Sequence, residues 1–154
     1  MAISKKFSTG LLAALILSFS FLWPAFIWGA DSSVYGNPYT WVTIRHTAIK
    51  AEVVESPEKL YLGLSHRREL PEGRGMFFVM PSEEYQQFCM RGMRFSLDII
   101  WIAQGKVMGI HENIAPEDQR TFTSPAPVRY VLEVPGGFCD KHGIRVNDPV
   151  KFTL

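Results

Sequence analysis

The sequence predicts a mainly β protein, a single antiparallel β-sandwich or flattened barrel of about seven strands with two short helices. The strongest evidence lies in residues 75–110, where apolar runs too short for helices are separated by polar turns. These runs are Met76–Met80, Gln86–Met90 and Ile99–Ile102. Gln104-Gly105 then precedes a fourth run, Lys106–Ile110, and this dipeptide predicts a tight β-hairpin.

Three further segments have the pattern of strands. In residues 41–54, apolar side chains around Ile49 and Val53 alternate with Lys50 and Glu52. Residues 149–154 are predicted as the closing strand. In residues 128–134 one face carries Val128, Tyr130, Leu132 and Val134, and the other, predicted to be exposed, carries Arg129, Val131 and Glu133.

Two short helices and one long loop complete the predicted domain. Ser56-Pro57-Glu58 is a helix start, because Ser caps free N–H groups, Pro suits the first position and Glu favours the positive end. Leu60 and Leu64 fall on one face of that helix. A second short helix should follow Pro135-Gly136-Gly137 and end at Gly143. Between the strands, residues 113–127 contain three prolines and no periodicity, which predicts an irregular crossing loop.

The first 30 residues have the pattern of an export signal. Lys5 and Lys6 precede an uncharged run from Phe7 to Ala30, and Asp31 is the first acidic residue. We expect residues 1–30 to be a signal peptide or an N-terminal membrane anchor, since the uncharged run is long enough to span a bilayer. Residues 31–40 are then a polar tether and residues 41–154 the β-rich domain. The protein is accordingly expected to be exported, either periplasmic or extracellular.

Composition and motifs narrow the classes of function. The chain has 16 Lys and Arg against 15 Asp and Glu, without a basic run, which argues against a nucleic-acid partner. The common signatures of hydrolases, zinc proteases and nucleotide-binding enzymes are absent. The four histidines, His46, His66, His111 and His142, lack metal-ligand spacing, so no cofactor is predicted. We expect a non-catalytic cell-envelope module that binds a small polar ligand or an envelope protein.

Four short motifs follow one another along the predicted domain. They are Gly63-Leu64-Ser65-His66-Arg67-Arg68-Glu69-Leu70, Gly75-Met76-Phe77-Phe78-Val79-Met80, Phe88-Cys89-Met90-Arg91-Gly92-Met93 and Leu97-Asp98-Ile99-Ile100-Trp101. With these motifs, and with Leu132-Glu133, Gly143-Ile144 and Asp148 further on, the chain resembles the domain-of-unknown-function family 192. The resemblance implies a β-rich, sandwich-like domain that is often exported, and it implies no reaction.

Asp98 is the strongest single candidate for a functional residue. It opens the most apolar run, where a carboxylate is costly to bury without a partner. In a structural role it would accept backbone N–H bonds or pair with Arg67, Arg91 or Arg94. In a functional role it would hold a polar ligand beside arginines. The candidate ligand-binding residues are Arg67, Met90, Arg91, Asp98 and His111.

Two other functions remain open at this point. An envelope hydrolase would use carboxylates as acid and base, drawn from Asp98, Glu83, Glu84 and Glu133. A Cu(I)-binding protein would use soft ligands, although Met is also a common core filler. Its candidate ligands are Met76, Met80, Met90, Met93, Cys89 and His111.

The two cysteines, Cys89 and Cys139, are expected to form a disulfide after export. The compartment is oxidising and the cysteine count is even. Cys89 also stands where the resembled family usually has Trp, and a matching thiol at Cys139 would account for that departure. Two unpaired cysteines remain the alternative.

Overall fold

The computed structural model describes residues 32–154, which form a seven-stranded sheet curled into a half-barrel, a two-stranded sheet and two short helices. The mainly β prediction is therefore confirmed. In chain order the elements are β1 (Tyr39–Ile44), β2 (Thr47–Val54), α1 (Pro57–Leu62), β3 (Arg74–Glu84), β4 (Gln87–Phe88), β5 (Leu97–Ala103), β6 (Lys106–Ile114), β7 (Phe122–Thr123), β8 (Val128–Pro135), α2 (Phe138–His142) and β9 (Val150–Lys151).

The large sheet has the strand order β6-β5-β8-β3-β2-β1-β9. Its pairs are antiparallel apart from β2 and β3, which run parallel. Parallel neighbours need a crossover connection, and α1 with the loop behind it supplies one. This parallel pair departs from the all-antiparallel expectation, and it brings α1 and the following loop onto one face of the sheet.

The C-terminal segment brings the two ends of the sheet together. β9 pairs with β1 at one edge, while the Val107 amide donates to the Asp148 carbonyl at 3.0 Å at the other edge. The Val150 amide also donates to the Gly105 carbonyl in the β5–β6 turn at 2.8 Å. Residues 147–151 therefore bridge β6 and β1, which explains why the sheet is curled rather than flat.

Each face of the sheet carries its own apolar cluster. The α2 face, named for the helix that covers it, carries Phe77, Ile100 and Leu132 and also buries Phe138 of α2. The α1 face carries Met76, Phe78, Ile99 and Trp101, which are covered by the half-buried Leu60 of α1 and by Leu64 just after the helix. Because β5 lies between two covered faces, each of its seven residues is buried.

Several local predictions are confirmed. Gln104 and Gly105 have φ of 51° and 68°, as a primed hairpin turn requires. The Ser56 side chain accepts a hydrogen bond from the Lys59 amide at the start of α1, where Pro57 occupies the first helical position. Gly143 ends α2 with a φ of 63°.

Other boundaries differ from the predictions. The strand expected over residues 41–54 is two strands, because Arg45 adopts a φ of 54° and reverses the chain. Of the run Gln86–Met90 only β4 is a strand, and its partner β7 lies in the predicted irregular loop. Residues 32–38, predicted as part of a tether, fold into a turn in which the Ser33 amide donates to the Asn37 carbonyl at 2.8 Å.

The predicted disulfide between Cys89 and Cys139 is wrong, because both thiols are free in the described part of the chain. Cys139 is fully buried in the cluster of the α2 face. Cys89 is exposed and lies between Phe88 and Met90, whose side chains pack on the α1 face. The sheet separates the two thiols, so they cannot reach each other without unfolding part of the domain.

The predicted signal peptide or anchor, residues 1–30, lies outside the described residues. Within residues 32–154, no helix is long and apolar enough to cross a bilayer.

Candidate functional site

Asp98 is a structural anchor on the α2 face. Its side chain is fully buried on β5, and its carboxylate accepts three backbone hydrogen bonds. Oδ1 accepts from the amides of Asn113 and Gly137 at 2.6 and 2.9 Å, and Oδ2 accepts from the Cys139 amide at 2.7 Å. Asp98 thereby fastens β6 and the start of α2 to the central strand. The sequence left two structural roles open for Asp98, hydrogen bonds from backbone amides or an ion pair with an arginine. The structure shows the backbone hydrogen bonds.

Arg67 lies on the α1 face, in the loop after α1, and is paired with a carboxylate of β2. Its two terminal nitrogens donate to Oε1 and Oε2 of Glu52 at 2.5 and 2.9 Å. Asn37 donates to the same Oε2 at 2.8 Å, and the Tyr35 ring lies 3.9 Å from the guanidinium carbon. Burial raises the pKa of Glu52, but the bonds from Arg67 and Asn37 and the charge of Arg67 outweigh burial, so the net pKa is lowered.

A cationic cleft of about 480 Å³ opens beside this pair. Four permanent cations and two carboxylates line it, together with His66 and the ring of Tyr39. Lys50 and Arg74 lie 4.5 and 5.6 Å from the centre of the Tyr39 ring, which restricts both side chains. The cations are Lys50, Arg67, Arg68 and Arg74, and the carboxylates are Glu52 and Glu69.

A second concavity, of about 290 Å³, lies between α1 and the loop after β4. We call it the apolar pocket, because its lining includes the apolar side chains of Leu60, Leu64, Phe78, Met80, Phe88 and Met93. Glu133 of β8 also lines the pocket, although only 6% of its surface is exposed. Burial raises the pKa of Glu133 to about 8, and the charge of Arg67 lowers it less than burial raises it.

The structure does not gather the five candidate ligand-binding residues at one place. Arg67 lines the cationic cleft, whereas Arg91 lines the apolar pocket with its guanidinium 4.2 Å from the Tyr61 ring. Met90 is buried in the cluster of the α1 face. His111 accepts a hydrogen bond from the Trp101 indole at 2.9 Å, and burial and the charge of Arg120 lower its pKa. Asp98 lies on the opposite face of the sheet from the other candidates.

The candidate copper ligands are divided in a similar way. Met80, Cys89 and Met93 line the apolar pocket, whereas Met76 and Met90 are buried among the apolar side chains of the α1 face. Burial among apolar neighbours is the usual environment of a methionine that fills a core.

The carboxylates proposed for hydrolysis also lie apart. Glu83 and Glu84 are exposed near the end of β3, where Glu84 accepts a hydrogen bond from Ser82. Glu133 and Asp98 point to opposite faces, because Asp98 pairs with Val134 and Glu133 pairs with Ile99 in the β5–β8 register. The prediction that Glu133 lies on an exposed strand face is wrong, since the α1 face is covered at that point. Val131, an apolar residue on the same face, was the signal in the sequence.

Comparisons with known proteins identify relatives without an established activity. The family model DUF192, described as Uncharacterized ACR, COG1430, matches residues 40–152. The fold is similar to that of a protein of unknown function from Novosphingobium aromaticivorans DSM 12444, with 30% identity, a TM-score of 0.75 and coverage of 79% of this chain and 91% of that one. It is also similar to a Sinorhizobium meliloti 1021 protein provisionally described as a transcription regulator, with 26% identity, a TM-score of 0.73 and coverage of 80% and 98%. No curated protein matches the sequence significantly.

Proposed function

Because the chain belongs to the DUF192 family, which is described only as uncharacterised, we propose its function from its own residues: an exported, non-catalytic module that binds a small anionic molecule in the cationic cleft. The observation that carries the proposal is the charge of the cleft, four permanent cations against two carboxylates. One of these carboxylates, Glu52, is already neutralised by Arg67. The exposed guanidinium groups of Arg68 and Arg74, against the single carboxylate of Glu69, favour a ligand with carboxylate or phosphate groups.

The cleft is suited to reversible binding of a small molecule. Its volume falls in the range typical of ligand sites. Glu52 and Tyr35 hold Arg67 in place, and the Tyr39 ring restricts Lys50 and Arg74, so little side-chain freedom is lost when a ligand binds. Arg68 and Arg74 are exposed, and their guanidinium groups suit bidentate contacts with an anion.

Binding is a better-supported function than hydrolysis. A hydrolase needs an acid and a base within reach of one substrate. Within the described residues, Asp98 is enclosed by backbone amides on the α2 face, and Glu52 is ion-paired. The proposal therefore assigns no reaction to the cationic cleft.

Anion binding gives the first testable prediction. Calorimetric titration of the full-length protein with citrate should show saturable binding that weakens as the salt concentration rises. Arg68→Ala and Arg74→Ala should each weaken it by about tenfold, which corresponds to about 1.4 kcal/mol. Arg129→Ala is the matched control, since Arg129 is an exposed residue of β8 that does not line the cleft.

Three outcomes would contradict the proposed function. The first is no citrate binding at millimolar concentration, and the second is citrate binding that both cleft variants leave unchanged. The third concerns the Sinorhizobium relative, which is provisionally described as a transcription regulator. If duplex DNA bound this chain more tightly than citrate, and Arg68→Ala and Arg74→Ala weakened that binding, the cleft would be part of a nucleic-acid surface.

Export gives the second testable prediction. Expression of the full chain in a Gram-negative host should yield a product outside the cytoplasm whose N-terminus, measured by mass spectrometry, lies near Asp31. The motivation is the pair Lys5-Lys6 followed by the uncharged run to Ala30. An intact chain in the membrane fraction would select the anchor, and an intact soluble chain in the cytoplasm would refute export.

A further inference from the structure

Glu133 is a buried carboxyl group whose hydrogen-bonding capacity the rest of the domain leaves unused. It lies on β8 between Met76 of β3 and Ile99 of β5, and all three side chains point to the α1 face. Only 6% of the Glu133 surface is exposed, and no residue of the described chain is hydrogen-bonded to its carboxyl group. Its oxygens are not among the fully buried unpaired atoms of the described residues, so they keep a small accessible area. The Glu133 side chain lines the apolar pocket. Water or a bound molecule in the pocket can therefore supply the hydrogen bonds that the protein does not.

The protonation state of Glu133 decides what it can offer to a ligand. Since burial raises its pKa to about 8, the carboxyl group is mostly neutral at pH 7. A neutral carboxyl group has an O–H that can donate a hydrogen bond, whereas a carboxylate can only accept. The neutral carboxyl group of Glu133 therefore presents a hydrogen-bond donor to the apolar pocket.

The charges around the pocket favour a negative head group on the ligand. The titratable and charged groups facing Glu133 are Tyr61 from α1, Arg67 from the loop after α1, and Cys89 and Arg91 from the loop after β4. Arg67 is paired with Glu52 of β2, so the permanent charge that lines the pocket is the guanidinium group of Arg91. The field of Arg91 attracts an anion and opposes an amine, and an O–H donating to a carboxylate forms a short, charge-assisted hydrogen bond.

We propose that the apolar pocket binds an apolar monocarboxylate, whose hydrocarbon body packs against Leu64, Phe78 and Met93 and whose head accepts the hydrogen bond donated by Glu133. A volume of about 290 Å³ holds a ligand of roughly ten non-hydrogen atoms, if each takes about 30 Å³. Arg91, stacked on Tyr61 beside the pocket, adds electrostatic attraction for the same head group. This site is separate from the cationic cleft and does not depend on the function proposed for it.

The test uses octanoate, which has ten non-hydrogen atoms, with octylamine and octanol as ligands that share its chain and differ in the head group. Calorimetry of the full-length protein at pH 7 should rank octanoate first. The affinity for octanoate should be constant between about pH 6 and pH 8, where the ligand is ionised and Glu133 keeps its proton, and fall by up to tenfold for each pH unit above about 8.

Four variants separate the role of Glu133 from other effects. Glu133→Gln still donates an N–H, so it should bind octanoate without the fall above pH 8, whereas Glu133→Leu should weaken binding at least tenfold. Cys89→Ser should keep the pH dependence, which excludes the thiol as its source. Arg74→Ala, in the cationic cleft, should leave octanoate binding unchanged. Tighter binding of octylamine or octanol, a pH-independent affinity in the unmodified protein, or no binding of octanoate would each overturn the proposal.

Discussion

Replacing Asp98 by asparagine is expected to lower the free energy of unfolding by about 3 kcal/mol, because three backbone amides would lose a charged acceptor. An asparagine oxygen can replace Oδ1, which accepts from Asn113 and Gly137. Its NH₂ group would then face the amide of Cys139, a donor opposite a donor in a fully buried site. Thermal unfolding should show a midpoint lower by about 10 °C.

Asp140→Asn provides the matched control for this prediction. Asp140 belongs to the same helix, but its side chain is 81% exposed and lies 3.5 Å from Arg145, a geometry that contributes little to stability. Its midpoint should therefore change very little. An unchanged midpoint for Asp98→Asn would mean that the anchor between β5, β6 and α2 is not needed for stability. A functional role for the carboxylate would then have to be reconsidered.

The strands at the centre of the sheet could be predicted because their sequence pattern has one physical explanation. A run such as Leu97–Ala103 is too short for a helix and has no polar face, so it must be a strand covered on both sides. Its hairpin was equally predictable, since Gln104-Gly105 is followed at once by another apolar run.

The sheet edges and the pairing order could not be predicted in the same way. Nothing in the residues around Arg45 is a strong turn signal, yet Arg45 adopts positive φ because β1 and β2 must pair over Tyr39–Glu52. The parallel pairing of β2 with β3 depends on tertiary contacts of α1 rather than on any local pattern. The two-residue strands β4 and β7 are too short to produce a periodic signal.

The candidate site was only partly visible in the sequence. Arg67 was identified by its place in a motif, but its partner Glu52 lies on β2 and is brought to it by the α1 crossover. The alternation of β8 predicts that Glu133 lies on an exposed face, because strict alternation usually means that one face is solvated. The face is instead covered by α1 and the loop after β4, elements that are distant in sequence.

The burial of Glu133 without a hydrogen-bonded partner has a consequence for stability as well as for binding. The pKa of this carboxyl group is about 8 in the folded protein, against an ordinary value of 4.5. Between these two pH values the folded state holds a proton that the unfolded chain has released. The contribution to stability is therefore complete below about pH 4.5 and is lost as the pH rises through about 8. The contribution of Glu52 to stability has the opposite pH dependence: because its pKa is lowered from 4.5, this contribution is lost as the pH falls below that value.

We therefore expect the free energy of unfolding to fall by about 2 to 4 kcal/mol between pH 5 and pH 9, and Glu133→Gln to remove most of this fall. The measurement is urea unfolding of both proteins, without ligand, at matched pH values. Other buried groups, such as His111 and the Cys139 thiol, are common to both proteins, so their contributions cancel in the difference. The variant should resemble the unmodified protein at pH 5 and exceed its stability at pH 9, because an amide has no charge to bury. If the two stability curves ran parallel across this range, Glu133 would be ionised in the folded protein at neutral pH, and the hydrogen-bond donor assigned to the apolar pocket would be absent.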